Sequence, residues 1–429
     1  MKRRTRLVSL WVAALMLLTA FGGATSAFAE ASITLRMVES LTSPARTALL
    51  RSQLDAFEAA NPGIKVELIS PPLTDADNKI AQMLMNQQPL DVLEVRDMTA
   101  AQFINNKWIA SMDDYVATWG EYESLKPIAK TDTSAIGGAT YLIPYGFYQR
   151  CVYYNTKYFE EAGLTPPKTL GEMYETAKKL TDPNVNRYGY SFRGGAGGHW
   201  YAEMFIQANL GAKVDPAHAF YTTDGQTIFS QPEALETLKY YISLYNDCSA
   251  PDALNWSYPE MVEAFVSGVT AILIQDPEVI ATCADRMEEG TWNTSVLPVG
   301  DKTKMSYGPM GYAGWGMTAY SEHKDDAWKL ISYLCSVQAN TEFCKANSLL
   351  PIHTVADQDP VFAAPVYQAY AQMSADTATW ASAVAPQSSA GWGEFNTFAD
   401  ADLQKMLSGS LSPEDLLAKW DAYWLAQKA

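Results

Sequence analysis

Between residues 33 and 95 the hydrophobic period of this chain switches repeatedly between two and 3.6, and few folds accommodate that. Ile33-Thr34-Leu35-Arg36-Met37-Val38 reads as a strand. Residues Pro44 to Ala60 then carry Leu50, Leu54 and Phe57 on one helical face, and Asn61-Pro62-Gly63 stops the helix. Ile64, Val66 and Leu68 alternate as a second strand. A helix bearing Ile80, Met83 and Leu84 follows, then a strand from Leu90 to Val95. This β-α-β-α-β order predicts a doubly wound layer with helices on both faces, and hence the α/β class.

Further along, Thr169-x-x-Glu172, Ser230-x-x-Glu233, Ser257-x-x-Glu260 and Ser412-x-x-Asp415 have the form of capping boxes, each before an apolar-periodic segment. The Ser257 helix ends at Gly268, and Val269 to Ile274 reads as a short buried strand. Asp325 to Leu334 is a helix whose inner face carries Trp328, Ile331 and Leu334. Three stretches read as crossings rather than elements: Tyr141 to Gly146, Gly308-Pro309-Met310-Gly311 and Leu349-Leu350-Pro351-Ile352. Two lobes joined by three crossings would leave a cleft between them.

The amino terminus reads as an export signal. Lys2, Arg3, Arg4 and Arg6 precede an apolar run from Leu7 to Phe21, and Ala27-Phe28-Ala29 places cleavage before Glu30. The run is shorter than the roughly 20 residues that a membrane span needs. No cysteine lies near the cleavage position to accept a lipid anchor, so the expected location is the periplasm or the exterior. Removing the signal takes away four positive charges and no negative ones, moving the net charge from −17 to −21. Such a surface argues against nucleic acid and anionic lipid as partners. Five cysteines enter an oxidising compartment without a C-x-x-C pair. Cys151 reads as a buried thiol; bridges Cys248–Cys283 and Cys335–Cys344 are both open to the sequence.

Several runs share one pattern of relatives. Phe57-Glu58-Ala59-Ala60-Asn61-Pro62-Gly63, Gln88-Pro89-Leu90-Asp91-Val92-Leu93, and Ile143-Pro144-Tyr145-Gly146 with Val152-Tyr153-Tyr154-Asn155 occur in the same order as in that pattern. So do Phe159-Glu160-Glu161-Ala162-Gly163-Leu164 and Phe265-Val266-Ser267-Gly268-Val269-Thr270-Ala271. Over residues 33 to 425 the chain resembles the family 1 extracellular solute-binding proteins of ATP-binding-cassette importers, the maltodextrin-binding-like group. The resemblance implies a two-lobed periplasmic-binding-protein fold with three hinge crossings and a ligand cleft between the lobes. It assigns residues 1–29 to the signal, 30–144 with 315–349 to one lobe, and 145–314 with 350–429 to the other. It also implies a monomer without enzymatic activity or cofactor, which closes on a small ligand and delivers it to the permease subunits of an ABC importer.

A neutral sugar or polyol offers hydroxyls to polar groups and C–H faces to aromatic rings. Loops at the carboxyl ends of strands are where such groups converge in open α/β sheets. Glu39 and Ser40 after the first strand, and Arg96 and Asp97 after the third, are expected contacts on that ground, although Asp97 also suits a helix cap. The glycine-rich loop from Gly194 presents His199 and Trp200; it fits neither the phosphate-loop nor the dinucleotide pattern. Asp276 ends the buried strand, and Trp256 stands just before a capping box. Gly311 and Tyr312 lie at the second crossing and Tyr148 at the first. Trp392 and Glu394 fall where maltodextrin-binding relatives present a stacking tryptophan.

Three other readings compete. A glycosidase needs two carboxylates at a set separation, but no H-E-x-x-H or G-x-S-x-G accompanies the four dispersed histidines. A polyamine would suit the net charge. Iron would use adjacent tyrosines, yet Tyr153-Tyr154 and Tyr240-Tyr241 read as packing. Glu39-Ser40-Leu41-Thr42 lacks the tryptophan common in oligosaccharide binders, which favours a monosaccharide, a disaccharide or a polyol.

Overall fold

The computed structural model describes residues 33–73, 75–134, 136–308, 310–383, 389 and 391–428. The export signal, its cleavage position before Glu30, and Pro309 of the second crossing lie outside the described residues. In chain order the first strands are β1 (Ile33–Val38), β2 (Ile64–Ile69), β3 (Val92–Arg96), β4 (Ile143–Gln149), β5 (Cys151–Asn155) and β6 (Tyr188–Tyr190). They are followed by β7 (Val214–Asp215), β8 (His218–Thr222), β9 (Thr270–Gln275) and β10 (Trp292–Ser295). The last three are β11 (Ser306–Tyr307), β12 (Met310–Met317) and β13 (Trp380–Ala381).

Two sheets carry the architecture. The first runs β2-β1-β3-β12-β4, with β1 parallel to β2 and β3, and β12 antiparallel to β3 and β4. The second runs β10-β5-β9-β6. The strands at the centres of these sheets are buried along their length rather than on alternate residues, as expected where both faces are covered. Every residue of β9 is buried, as are the first four of β3. The smaller pairs, β7 with β8 and β11 with β13, sit apart from both sheets.

The helices begin where local chemistry tells them to. The helix Pro44–Ala60 starts at Ser43, whose hydroxyl accepts the Arg46 N–H at 3.3 Å, with proline at the first position, where no N–H is missed. Thr169, Ser257 and Ser412 likewise cap the helices that follow them. Ser230 does not. The helix Pro232–Cys248 takes Gln231 as its cap, because the residue before a proline is held extended. The Ser230 hydroxyl instead donates to Thr227 O at 2.9 Å.

Two of the stretches expected as crossings are partly strand, since burial in the first sheet recruits Ile143–Gly146 into β4 and Met310–Gly311 into β12, and the passages between the sheets lie side by side at the ends of these strands. Gln149 pairs with Met310 in the first sheet and Cys151 pairs with Gln275 in the second, so the chain changes sheets at Arg150. Phe147 of β4 exchanges backbone hydrogen bonds with Leu350, at 3.0 and 3.3 Å. All five cysteines are buried free thiols, so neither of the two bridges open to the sequence is formed. Cys248 lies under the helix Leu170–Leu180, its thiol 3.9 Å from Tyr174 O, and Cys344 faces Tyr145 O at 3.2 Å.

Candidate functional site

A cavity of about 630 Å³ opens where the carboxyl ends of β1, β3, β4 and β9 converge from the two sheets. The loop after β1 contributes Leu41, Thr42 and Ser43; the end of β3 contributes Arg96, Asp97 and Met98. Tyr148 comes from the end of β4, Arg150 from the sheet change that follows it, Gly311 and Tyr312 from the start of β12, and Asp276 and Glu278 from just past the end of β9. At the second crossing the backbone must come close: a methyl group on Gly311 would stand 3.1 Å from an Asp97 carboxylate oxygen.

One helix supplies a whole wall. Trp200, Glu203, Met204 and Gln207 all line the cavity, and their spacing of three, four and seven residues puts them on one face of the helix His199–Leu210. The start of that helix is held by a carboxylate from elsewhere: Asp400 accepts the N–H groups of Gly197 at 2.8 Å and His199 at 3.3 Å. Trp200 Nε1 donates to Asn396 at 3.2 Å, which fixes the plane of the ring.

Behind the opposite wall Glu94 organises the polar groups. It is 1% exposed, and its carboxylate accepts the N–H groups of Ser40 at 2.6 Å and Leu41 at 3.1 Å. It also accepts from Arg46 at 3.4 Å and from the Tyr145 hydroxyl. A buried charge is tolerated only when paired and hydrogen-bonded like this. The result is that the β1 loop and Arg46 are set against the cavity by one side chain. Arg96 is similarly held by Asp77 at 2.7 Å.

On the second sheet's side, carboxylates are crowded in apolar surroundings. Burial raises the Asp276 pKa, against the pull of Arg150 and Arg193. Glu278 is pushed up to about 7, first by burial and then by the neighbouring Asp276 charge, with Arg46, Arg96 and the Tyr258 hydroxyl opposing. Burial also raises Glu203, which the adjacent His199 partly offsets.

Of the residues singled out from the sequence, Arg96, Asp97, Tyr148, Trp200, Asp276, Gly311, Tyr312 and Trp392 are brought together around the cavity. Trp392 is also core: it is 7% exposed and packs on Phe220 with ring centroids 5.8 Å apart. The other five are placed elsewhere. Glu39 is fully buried below the strand end, accepting from Thr47 and Ser70, both at 2.6 Å. Ser40 is turned inward by its backbone bond to Glu94. His199 is 1% exposed and stands behind Glu203. Trp256 is held through its carbonyl by Gly195 N–H at 2.8 Å and does not line the cavity. Glu394 is exposed and bonded to Tyr423 at 3.1 Å, since it faces out from the helix Trp392–Leu407.

Sequence reading missed Arg46, Arg150, Glu203, Tyr258 and Glu278. A signal existed for three of them. Arg46 lies on the buried face that Leu50, Leu54 and Phe57 define, while Arg150 and Glu203 are single charges inside otherwise apolar runs.

Two α/β sheets joined by adjacent crossings, with a cavity of rings and paired charges between them, define a two-lobed ligand-binding protein. The chain belongs to the bacterial extracellular solute-binding proteins, whose family model matches residues 40–341. It is 24% identical over 384 residues to a binding protein of Brucella abortus, covering 86% of this chain and 87% of that one. An ABC transporter solute-binding protein from Thermotoga lettingae bound with α-D-tagatose shares the fold, with a TM-score of 0.76. Its identity is 22%, and the match covers 91% of this chain and 97% of that one. A solute-binding protein from Agrobacterium radiobacter in complex with ribitol matches with the same TM-score at 20% identity, over 93% and 99% of the two chains. Among the described residues no helix is long and apolar enough to cross a membrane.

Proposed function

We propose that this protein is the solute-binding component of an ABC importer and captures a sugar or polyol between its lobes. The observation that carries the reading is the make-up of the cavity walls. Trp200, Tyr258, Tyr312 and Trp392 offer ring surface, while Arg96, Asp97, Arg150, Asp276 and Glu278 offer donors and acceptors in near balance. A polyhydroxy ligand needs both kinds of group, and a volume of about 630 Å³ suits one to a few sugar rings. The ligands of the tagatose- and ribitol-bound relatives point the same way. Against a polyamine stands Arg150, which borders the cavity with no carboxylate bonded to it among the described residues.

In this reading the chain is exported, processed before Glu30, and acts as a monomer outside the cytoplasm without a cofactor. The boundaries expected at 144/145 and 314/315 would divide β4 and β12, so the proposed lobes are residues 30–149 with 310–349 and residues 150–308 with 350–429, with the first hinge centred on Arg150. Closure brings both lobes to the permease subunits at once. The candidate ligand contacts are the eight singled-out residues around the cavity, joined by Arg46, Arg150, Glu203, Tyr258 and Glu278.

Thermal unfolding of residues 30–429 with a panel of sugars, polyols, polyamines and amino acids tests this. Ligand at about 1,000 times its Kd adds roughly 4 kcal/mol, a shift of several degrees at this size. A shift with one sugar or polyol, lost on Trp392→Ala or Asp97→Ala, is expected. A shift with polyamines alone would overturn the ligand class.

A further inference from the structure

Arg150 sits where the chain leaves the first sheet for the second, and its surroundings differ from those of the other two cavity arginines. Arg46 is hydrogen-bonded to Glu94 and Tyr145, and Arg96 to Asp77. Arg150 is 6% exposed and borders the cavity, yet its Nε and Nη1 are buried with no hydrogen-bond partner among the described residues. Its guanidinium lies over two rings, 4.5 Å from the centroid of Tyr201 and 5.8 Å from that of Trp200. Asp276 and Glu203 favour its charge from nearby without taking those protons. Ring contact replaces little of the hydration that these donors give up, since an unmade hydrogen bond from a buried charged group costs more than one from a neutral group.

We propose that Arg150 is the main polar anchor of the ligand, donating from Nη2 together with Nε or Nη1, the two donor pairs that each share an edge of the guanidinium, to two oxygens on adjacent carbons. This rests on the sugar-or-polyol reading and narrows it to ligands that keep a free vicinal diol at that point. The planar fork of donors matches a pair of oxygens about as far apart as those of a carboxylate or a vicinal diol. Asp276 decides between them. It lines the cavity beside Arg150; a ligand carboxylate has no proton to give it, whereas a hydroxyl can accept from Arg150 and donate to Asp276 together. Trp200, already packed on the guanidinium, is placed to meet the C–H face of the same ligand.

The test is calorimetric titration of residues 30–429 and of two variants with D-tagatose, ribitol, D-mannitol, D-glucose and maltose, together with singly deoxygenated forms of whichever binds. Arg150→Lys keeps a charge beside Asp276 and loses the fork; Arg150→Met removes both. We expect Arg150→Lys to lose roughly 10- to 100-fold in affinity, and Arg150→Met at least as much. Wild type should lose about tenfold or more on removal of one hydroxyl of the diol, a loss that Arg150→Lys no longer shows. If wild type binds and Arg150→Lys stays within threefold of it, the anchor is wrong and the sugar reading stands. Should wild type bind none of the five, the sugar reading fails and the diol with it. Wild-type indifference to every deoxygenation would also overturn the anchor, whether or not the variants fold.

Discussion

His199 Nδ1 and the nearer oxygen of Glu203 are 2.6 Å apart, one helical turn apart in sequence and both buried. The other imidazole nitrogen is 4.0 Å from Asp400. His199 therefore reaches the cavity through Glu203, whose carboxylate it orients. Its replacement by alanine leaves that carboxylate buried without its partner, so His199→Ala should cost about 3 kcal/mol. His199→Gln, able to donate to the same oxygen, should recover much of it. Urea denaturation of the two variants checks this; equal losses would show that the ring is mere packing.

Glu94 ties Ser40, Leu41, Arg46 and Tyr145 together. Glu94→Ala leaves Arg46 buried without its counter-charge and should destabilise by about 3 to 5 kcal/mol. Adding Arg46→Met to that variant should restore part of the loss. Melting temperatures of the two single variants and the double variant measure the coupling. Strict additivity would mean that the pair is not the organising contact.

Glu278 makes stability depend on pH with a definite sign. Its folded value lies at about 7, above the ordinary 4.5, so the folded state holds the proton more tightly. The stability this gives is complete below pH 4.5 and is lost as pH rises through about 7. Glu278→Gln has no proton to lose. It should match wild type near pH 4 and exceed it by about 3 kcal/mol at pH 8. Urea titrations at the two pH values decide; a constant offset would place the carboxyl in water.

The five buried thiols predict a clean labelling result. Native protein should react with none of its cysteines on mixing with a thiol-specific reagent, and unfolded protein with all five. Burial supports this, pushing Cys283 and Cys344 up to about 12. Fewer than five in the unfolded, unreduced protein would reveal a bridge.

The order of the elements was legible because each period switch from Ile33 to Val95 is driven by burial of an apolar face, which sequence records directly. Strand ends were legible for the same reason, and with them Arg96, Asp97 and Asp276. What failed was the rotation of single side chains at those ends. Glu39 and Ser40 follow β1 as expected, but Glu94 pulls the Ser40 and Leu41 N–H groups inward, and the chain reaches the cavity from Leu41 onward. That bond joins residues 54 apart and leaves no mark on local pattern. Glu394 failed differently. It lies two residues past Trp392 on a helix, about 200° around the axis, so the two cannot share a wall.

The three passages between the sheets leave from adjacent hydrogen-bonded segments, β12 paired with β4 and β4 with Leu350. A strip of that kind is thin across and broad along its face. It flexes easily about its thin direction, while splaying or sliding would break several bonds together. In the proposed closure the lobes would thus keep essentially one angular coordinate, and a single inter-lobe distance, followed with one pair of spin labels, is expected to report the conformational state of the whole molecule.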